Sequence, residues 1–283
     1  MINSSDSNLT SSGLFNESCI MGVLNLTEDS FSDGGRFIEV QDAIERAIII
    51  YQEGAKILDI GAESSRPGSV PTDSQVQIHR IATVLSEVSE LNLKGLNISV
   101  DTTDSKVANA AIKLGAQIVN DISAGRSDPN MLSMIADTGA SVILMHMQGT
   151  PLTMQDAPTY KSVTREVKEF LSERIEVALS HGIAEEQIAI DPGIGFGKTL
   201  RHNLELLHNL KDIVAVGPSV VLGTSRKRFL STLCGGVSPS DLRGATCATT
   251  VLGLNAGVKI YRVHDVTENL QALKVHQAVG TAK

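Results

Sequence analysis

The chain predicts an α/β fold, a single-domain (β/α)8 TIM barrel with parallel strands, on three observations. From residue 19 onward short β-branched runs alternate with longer segments of helical periodicity; the short runs number about eight; and several of them end in a polar residue. Alternation of this kind builds a parallel sheet covered by helices. Eight such units without a clear reversal point favour a closed barrel over an open doubly wound sheet.

Taken in order, the predicted strands are Cys19 to Asn25, Lys56 to Ile60, Asn97 to Asp101, Gln117 to Asp121, Ser141 to His146, Ile188 to Asp191, Ser219 to Leu222 and Val258 to Val263. Helical periodicity lies between them, near residues 39–54, 74–91, 105–114, 129–138, 162–181, 201–210, 241–256 and 267–279. Gly54, Gly115, Gly139, Gly182 and Gly257 each follow a helical run and precede a strand, where a left-handed C-terminal residue is wanted. Residues 1–17 are Ser/Asn-rich, with no basic or apolar leader region, and read as a flexible N-terminal tail; residues 18–283 read as one domain.

Composition narrows the function classes. With 42% hydrophobic and 20% charged residues the chain can bury a sizeable core. A net charge of −8 argues against nucleic acid or an anionic membrane as a partner. The absence of Trp and an aromatic content of 3% leave little platform for stacking bases, so a small soluble ligand is expected. Cys19, Cys234 and Cys247 are widely spaced and odd in number, which gives neither a disulfide framework nor a zinc pattern and points to a reducing, cytoplasmic compartment. No run approaches the roughly 18 apolar residues of a membrane span.

The segment from Ile188 to Lys198 reads as a buried strand that delivers Asp191 to its end, stops at Pro192 and enters a glycine-rich turn. Gly193, Gly195 and Gly197 allow either close approach of a ligand to backbone N–H groups or turns through positive φ, and Phe196 between them offers a stacking surface. Gly197-Lys198-Thr199 looks like the tail of a P-loop, but Pro192 occupies the position that a P-loop gives to glycine.

On a barrel, Asn25, Asp59, Asp101, Asn120, His146, Asp191, Arg262 and His264 would gather at the C-terminal rim. Taken singly, such residues are more often caps or turns; Asp59 reads as a brace for the next loop and His146 as a satisfied rim histidine. Two long βα loops stand out. Leu26 to Gly35, with Phe31 and Asp33, reads as a lid, and Gly61 to Gly68 presents Arg66 before a fixed proline. Gly223 to Phe229 is a basic turn opening a helix, and Arg262 and His264 leave the last strand on the same side. Two cationic side chains beside Arg66 suit a phosphate or diphosphate. Asp101 and Asp191, as carboxylates, match a donor-rich edge, and Asn120 can both donate and accept. Paired carboxylates could also bind metal or act as acid and base, but no metal-spaced cluster stands near them in sequence.

Several motifs together resemble one family. They are Gly22 to Asn25 with Asp29 to Gly35, Asp59 to Gly61 with Glu63 to Gly68, Asp191 to Lys198, Ser225 to Lys227, and Arg262 to Asp265. In this set the chain resembles the dihydropteroate synthases from about residue 19 to its end. The resemblance implies condensation of 7,8-dihydropterin-6-ylmethyl diphosphate with p-aminobenzoate, release of pyrophosphate, Mg²⁺, a homodimer and sensitivity to sulfonamides. It implies that Asn25 helps to hold the magnesium diphosphate, with Arg66, Arg262 and His264 as its anion site. Asp101, Asn120, Asp191 and Lys227 would grip the pterin, with Met145 on its face, and Lys227, Arg262 and His264 would be catalytic. Ser65, Pro67, Phe196 and Arg228 would border the aminobenzoate. This chain departs from the family pattern at Glu28, where proline is usual, at Ser65, where threonine is usual, and at Thr102 to Ser105. Methyltetrahydrofolate-corrinoid methyltransferases share such a barrel but give no reason for Arg66, Lys227, Arg262 and His264 to surround a diphosphate; a binding protein without turnover is the non-catalytic alternative.

Overall fold

The computed structural model describes residues 14–26 and 36–282. Strands and helices alternate along them as β1 (Cys19–Asn25), α1 (Arg36–Gln52), β2 (Ile57–Gly61), α2 (Ser74–Glu90), β3 (Asn97–Asp101), α3 (Ser105–Lys113), β4 (Ile118–Asp121), α4 (Met131–Thr138) and β5 (Ser141–Met145). The second half continues with α5 (Val163–Ser180), β6 (Ile188–Asp191), α6 (Leu200–His208), α7 (Leu210–Val214), β7 (Ser219–Leu222), α8 (Arg228–Leu233), α9 (Arg243–Ala256), β8 (Ile260–Val263) and α10 (Val266–Thr281). Neighbouring strands pair in chain order, all parallel, and β8 returns to β1. The expected barrel is the one observed.

The two-residue period of a strand decides what enters the ring. Cys19 and Met21, Ile57, Ile118, Ile143, Ala189, Val221 and Ile260 pack on one another inside it. The alternate residues, among them Ile20, Leu58, Ile190 and Leu222, face outward and pack with the apolar stripes of the helices. Each fully buried Ile or Leu contributes about 1.5–3 kcal/mol, so both layers are strongly specified. One step of two residues further along the inward rows come Asp59, Asn120, Met145, Asp191, Gly223 and Arg262, and the apolar core gives way to a polar throat.

Several boundaries differ by a residue or more from those expected, and three of the differences have a visible cause. The last strand starts at Ile260 because Gly257 takes a left-handed φ of 97° and Val258 N–H turns back to the Gly253 carbonyl (3.0 Å), so the end of α9 consumes the preceding residues. The helix expected near 201–210 is two helices that share Asn209, whose side chain donates to Glu205 O (3.0 Å) and Thr164 Oγ1 (3.2 Å). Residues 14–17, read as part of a flexible tail, are held: Phe15 is 3% exposed within the inner cluster, and its carbonyl accepts from Ser219 Oγ at 2.7 Å. A lone aromatic in a polar stretch carried too weak a pattern to reveal that role.

Candidate active site

Arg262 leaves β8 pointing into the throat and is shared by two carboxylates. Its Nε donates to Asp59 Oδ2 (2.6 Å) and its Nη2 to Asp101 Oδ2 (2.7 Å), while Asn120 Nδ2 donates to the same Asp59 oxygen (3.3 Å). Burial pushes the Asp101 carboxyl up to about 7, Asp59 adding to the effect and Arg262 opposing it. Burial opposes the charge on Arg262 as well, but Asp59 and Asp101 overcome it and hold the guanidinium protonated above its ordinary range.

Across the throat Asp191 folds Oδ1 back to accept from Gly193 N–H at 2.6 Å. Lys227, the residue before α8, sends its Nζ to the Ile194 carbonyl and lies 4.6 Å from the centroid of the Phe196 ring. Burial lowers the Lys227 ammonium to about 8, with Asp191 drawing it back up. Two glycines mark the open space. A side chain at Gly223 would stand 3.7 Å from Asp191 Oδ2, 3.8 Å from Lys227 Nζ and 3.9 Å from Arg262 Cβ; one at Gly61 would stand 3.7 Å from Asp101 Oδ2 and 3.8 Å from Asn25 Oδ1. Asn25 and Asp101 stand at one of these positions and Asp191, Lys227 and Arg262 at the other, and the Arg262–Asp101 bond joins the two; Met145, on the inward row of β5, packs with Ile122, Met147 and Met154, against which Phe196 lies.

The turn after β7 is stitched to the segment after β8. Ser225 Oγ accepts from His264 N–H (3.1 Å) and lies 3.0 Å from His264 Nδ1. Arg226, at a φ of 58° unusual for a side chain with Cβ, donates from Nε and Nη2 to the two oxygens of Asp265 (3.0 and 2.5 Å). His264 is neutral near pH 7, its imidazole lowered to about 4 by burial and by Arg262 and Arg226. The sequence reading of Arg262 and His264 as two cationic side chains beside Arg66 is thus modified: burial and the neighbouring arginines disfavour a charged His264, and Arg262 is paired with carboxylates. Arg66 itself is exposed on the β2–α2 loop with Pro67, Ser65 is half-buried there, and Arg228 is exposed at the start of α8.

The glycine-rich turn also has a different cause from ligand approach. Gly193, Gly195 and Gly197 all take positive φ, and a Cβ on Gly193 would overlap the His146 carbonyl oxygen while one on Gly197 would come within 2.5 Å of Gln148 O. Close packing of the loop after β6 on the loop after β5 requires them. Lys198, the end of the near P-loop string, is buried and bonds Phe196 O (3.0 Å) and His146 Nδ1 (2.9 Å). His146 meets Phe170 of α5 edge-on at 4.9 Å and bonds Lys198, so it is the satisfied rim histidine of the sequence reading and does not join the polar side chains of the throat.

Phe31 and Asp33 of the expected lid, with Glu28, fall outside the described residues. Two features escaped sequence reasoning. Asp59, read as a loop brace, is a principal partner of Arg262. The connection from β5 to α5 is a third long loop, and its length and its Gly149, Pro151 and Pro158 were the available signal.

A closed parallel barrel whose strand C-termini converge on carboxylates, an amide, a lysine and an arginine defines an α/β-barrel protein that takes a small, hydrogen-bonding ligand at its C-terminal face. The family model of pterin-binding enzymes matches residues 21–264. A dihydropteroate synthase of Mycobacterium leprae is 43% identical over 262 residues, covering 90% of this chain and 91% of that protein. The dihydropteroate synthase of Xanthomonas albilineans solved with 4-aminobenzoic acid superposes with a TM-score of 0.88 at 38% identity, covering 95% of each chain. That of Yersinia pestis in a sulfonamide drug complex also gives 0.88, at 35% identity over 95% of this chain and 96% of that one. The chain belongs to the pterin-binding enzymes and, within them, to the dihydropteroate synthase family.

Proposed function

We propose that the chain condenses 7,8-dihydropterin-6-ylmethyl diphosphate with p-aminobenzoate, giving 7,8-dihydropteroate and pyrophosphate for folate synthesis. The observation that carries this reading is the gathering of Asn25 and Asp101 about Gly61 and of Asp191, Lys227 and Arg262 about Gly223, joined by the Arg262–Asp101 bond at the C-terminal end of the barrel. Carboxylates accept only, so Asp101 and Asp191 suit the N–H and amino edge of a pterin; Asn120 completes that edge and Lys227 donates to the ring acceptors. Met145 supplies an apolar face for the heterocycle.

At the mouth, Arg66, Arg262 and His264 are the groups for the diphosphate. Neutral His264 would serve as a hydrogen-bond donor, and Arg262 would exchange part of its carboxylate contact for phosphate oxygens. Among the described residues no group of three or more His, Cys, Asp or Glu could hold a metal. The amide oxygen of Asn25 fits Mg²⁺ bound mainly by phosphate and water oxygens, the usual manner of that ion. When bound, it would neutralise charge on the departing diphosphate.

Ser65, Pro67 and Phe196 border the second substrate, with Arg228 toward its carboxylate. No protein nucleophile is needed: departure of the diphosphate leaves an electrophilic methylene, which the aryl amine attacks. Arg66, Arg262 and Lys227 contribute by fixed charge and hydrogen bonding. Likeness to the Yersinia pestis protein supports sulfonamides as competitors of aminobenzoate. A homodimer through helices away from the mouth and a cytoplasmic location complete the reading, and no described helix is long and apolar enough to cross a membrane. The test is to titrate pterin diphosphate with and without Mg²⁺ and then add p-aminobenzoate. Pyrophosphate released in proportion to pteroate is expected; binding without release overturns the assignment.

A further inference from the structure

The connection between β5 and α5, residues 146–162, bridges two loops that lie far apart in sequence. Its outer part is a tight turn: Thr153 and Met154 N–H donate to Thr150 O (3.0 and 2.7 Å), and the Thr150 and Thr153 hydroxyls pair at 3.1 Å. The turn is closed at its base by Gln148, whose amide exchanges two 3.0 Å bonds with the backbone of Thr159. Met154 anchors it inward, 3% exposed beside Met145 and Met147, in the cluster on which Phe196 packs. On one side the Pro151 carbonyl accepts from Gly68 N–H (3.0 Å), directly after Pro67. On the other, Gln155 Nε2 donates to Gly195 O (2.8 Å), directly before Phe196, and the Tyr160 hydroxyl donates to Gly197 O (2.7 Å).

We propose that this segment is a strap that fixes the spacing between the Ser65–Pro67 wall and the Phe196 wall, and that Gln155 is the positioning residue through which it selects the aromatic amine. The inference rests on the function proposed above and deepens it. The strap touches both sides of the second-substrate region through Gly68 and Gly195. The segment is held to the pterin side by His146 N–H on Asp191 O (3.0 Å), by Arg126 Nη2 on Met147 O (3.0 Å) and by the packing of Met147 and Met154, none of which involves Gln155. Tyr160, Asn203, Lys198 and Lys227 still hold the Phe196 turn, so loosening Gln155 lets Phe196 shift relative to Pro67 by a limited amount while Asp101, Asn120 and Asp191 keep their places on β3, β4 and β6.

The test compares Gln155→Ala and Gln155→Glu with the unaltered enzyme. It reads KM for p-aminobenzoate, inhibition by a sulfonamide, Kd for pterin diphosphate and the thermal midpoint. Removing one neutral hydrogen bond predicts a rise in KM for p-aminobenzoate of about 3-fold to 10-fold for Gln155→Ala, and a larger rise for Gln155→Glu, whose carboxylate faces the Gly195 carbonyl. The sulfonamide constant should change by a different factor from KM, with pterin affinity unchanged and only a small fall in the thermal midpoint. An unchanged KM in both variants, or a pterin Kd that rises in parallel with it, overturns the strap. An unaltered enzyme that releases no pyrophosphate overturns the function itself and the strap with it, so the two failures are told apart.

Discussion

Asp101 and Lys227 sit in one throat, and burial moves them toward each other on the pH scale: the carboxyl up to about 7 and the ammonium down to about 8. The proposed grip on the pterin needs Asp101 ionised and Lys227 protonated. Recognition is therefore lost as pH falls through the Asp101 value and again as pH rises through the Lys227 value. The expected outcome is a narrow bell in kcat/KM for the pterin diphosphate, its limbs near those two values, measured at saturating p-aminobenzoate. A profile flat from about pH 6 to about pH 9 would contradict it. Lys227→Ala should lower turnover by about 10²–10³-fold, the scale seen on removing a preorganised donor. The fold should persist, because Lys227 stands at the edge of α8 and adds little to the core. Near-normal pyrophosphate release by that variant would take Lys227 out of the mechanism.

Between elements, the clamp of Arg226 on Asp265 ties the turn that carries Lys227 to the end of β8. Asp265→Asn removes the charge from a two-pronged contact and leaves Arg226 in a left-handed conformation without its counterweight. Charge-assisted hydrogen bonds contribute about 1.5–3 kcal/mol. The variant should lose about that much in denaturant unfolding, with a fall in kcat larger than the rise in either KM; full activity at reduced stability would show that the clamp only braces the fold. Gly193→Ala meets the His146 carbonyl and a positive φ together. Backbone strain of that kind alone costs about 1–3 kcal/mol, so this variant should unfold at distinctly lower urea concentration than the parent. These contacts explain what the sequence left illegible. Asp191 and the glycines after it were readable as a strand end and a turn, but which loop they pack against depends on a distant segment, and no local pattern reports it. Arg262 and His264 were likewise readable as rim residues, whereas their charge states depend on Asp59, Asp101 and Arg226, which only the closed ring assembles.

At the scale of the molecule the barrel was legible because period-two runs and glycine-terminated helices repeat in one phase along the chain, and because parity then lifts Asp59, Asn120, Asp191 and Arg262 onto a single level. The helices α9 and α10 carry exposed Leu252, Val275 and Val279 at 52%, 64% and 71%. Apolar side chains left in water on adjacent helices are what a second copy would cover. Sedimentation should give a mass near twice 30.1 kDa, shifting toward the single-chain value in a Val275→Glu, Val279→Glu double variant that still turns over. A single-chain mass for the unaltered protein would refute the dimer. Phe15, stoppering the ring at the end opposite Arg262, has a consequence for traffic. Together with the apolar layer it packs on, it closes the ring at that end, so on the function proposed above both substrates would enter from the Arg262 side and both products would have to leave by the way they came.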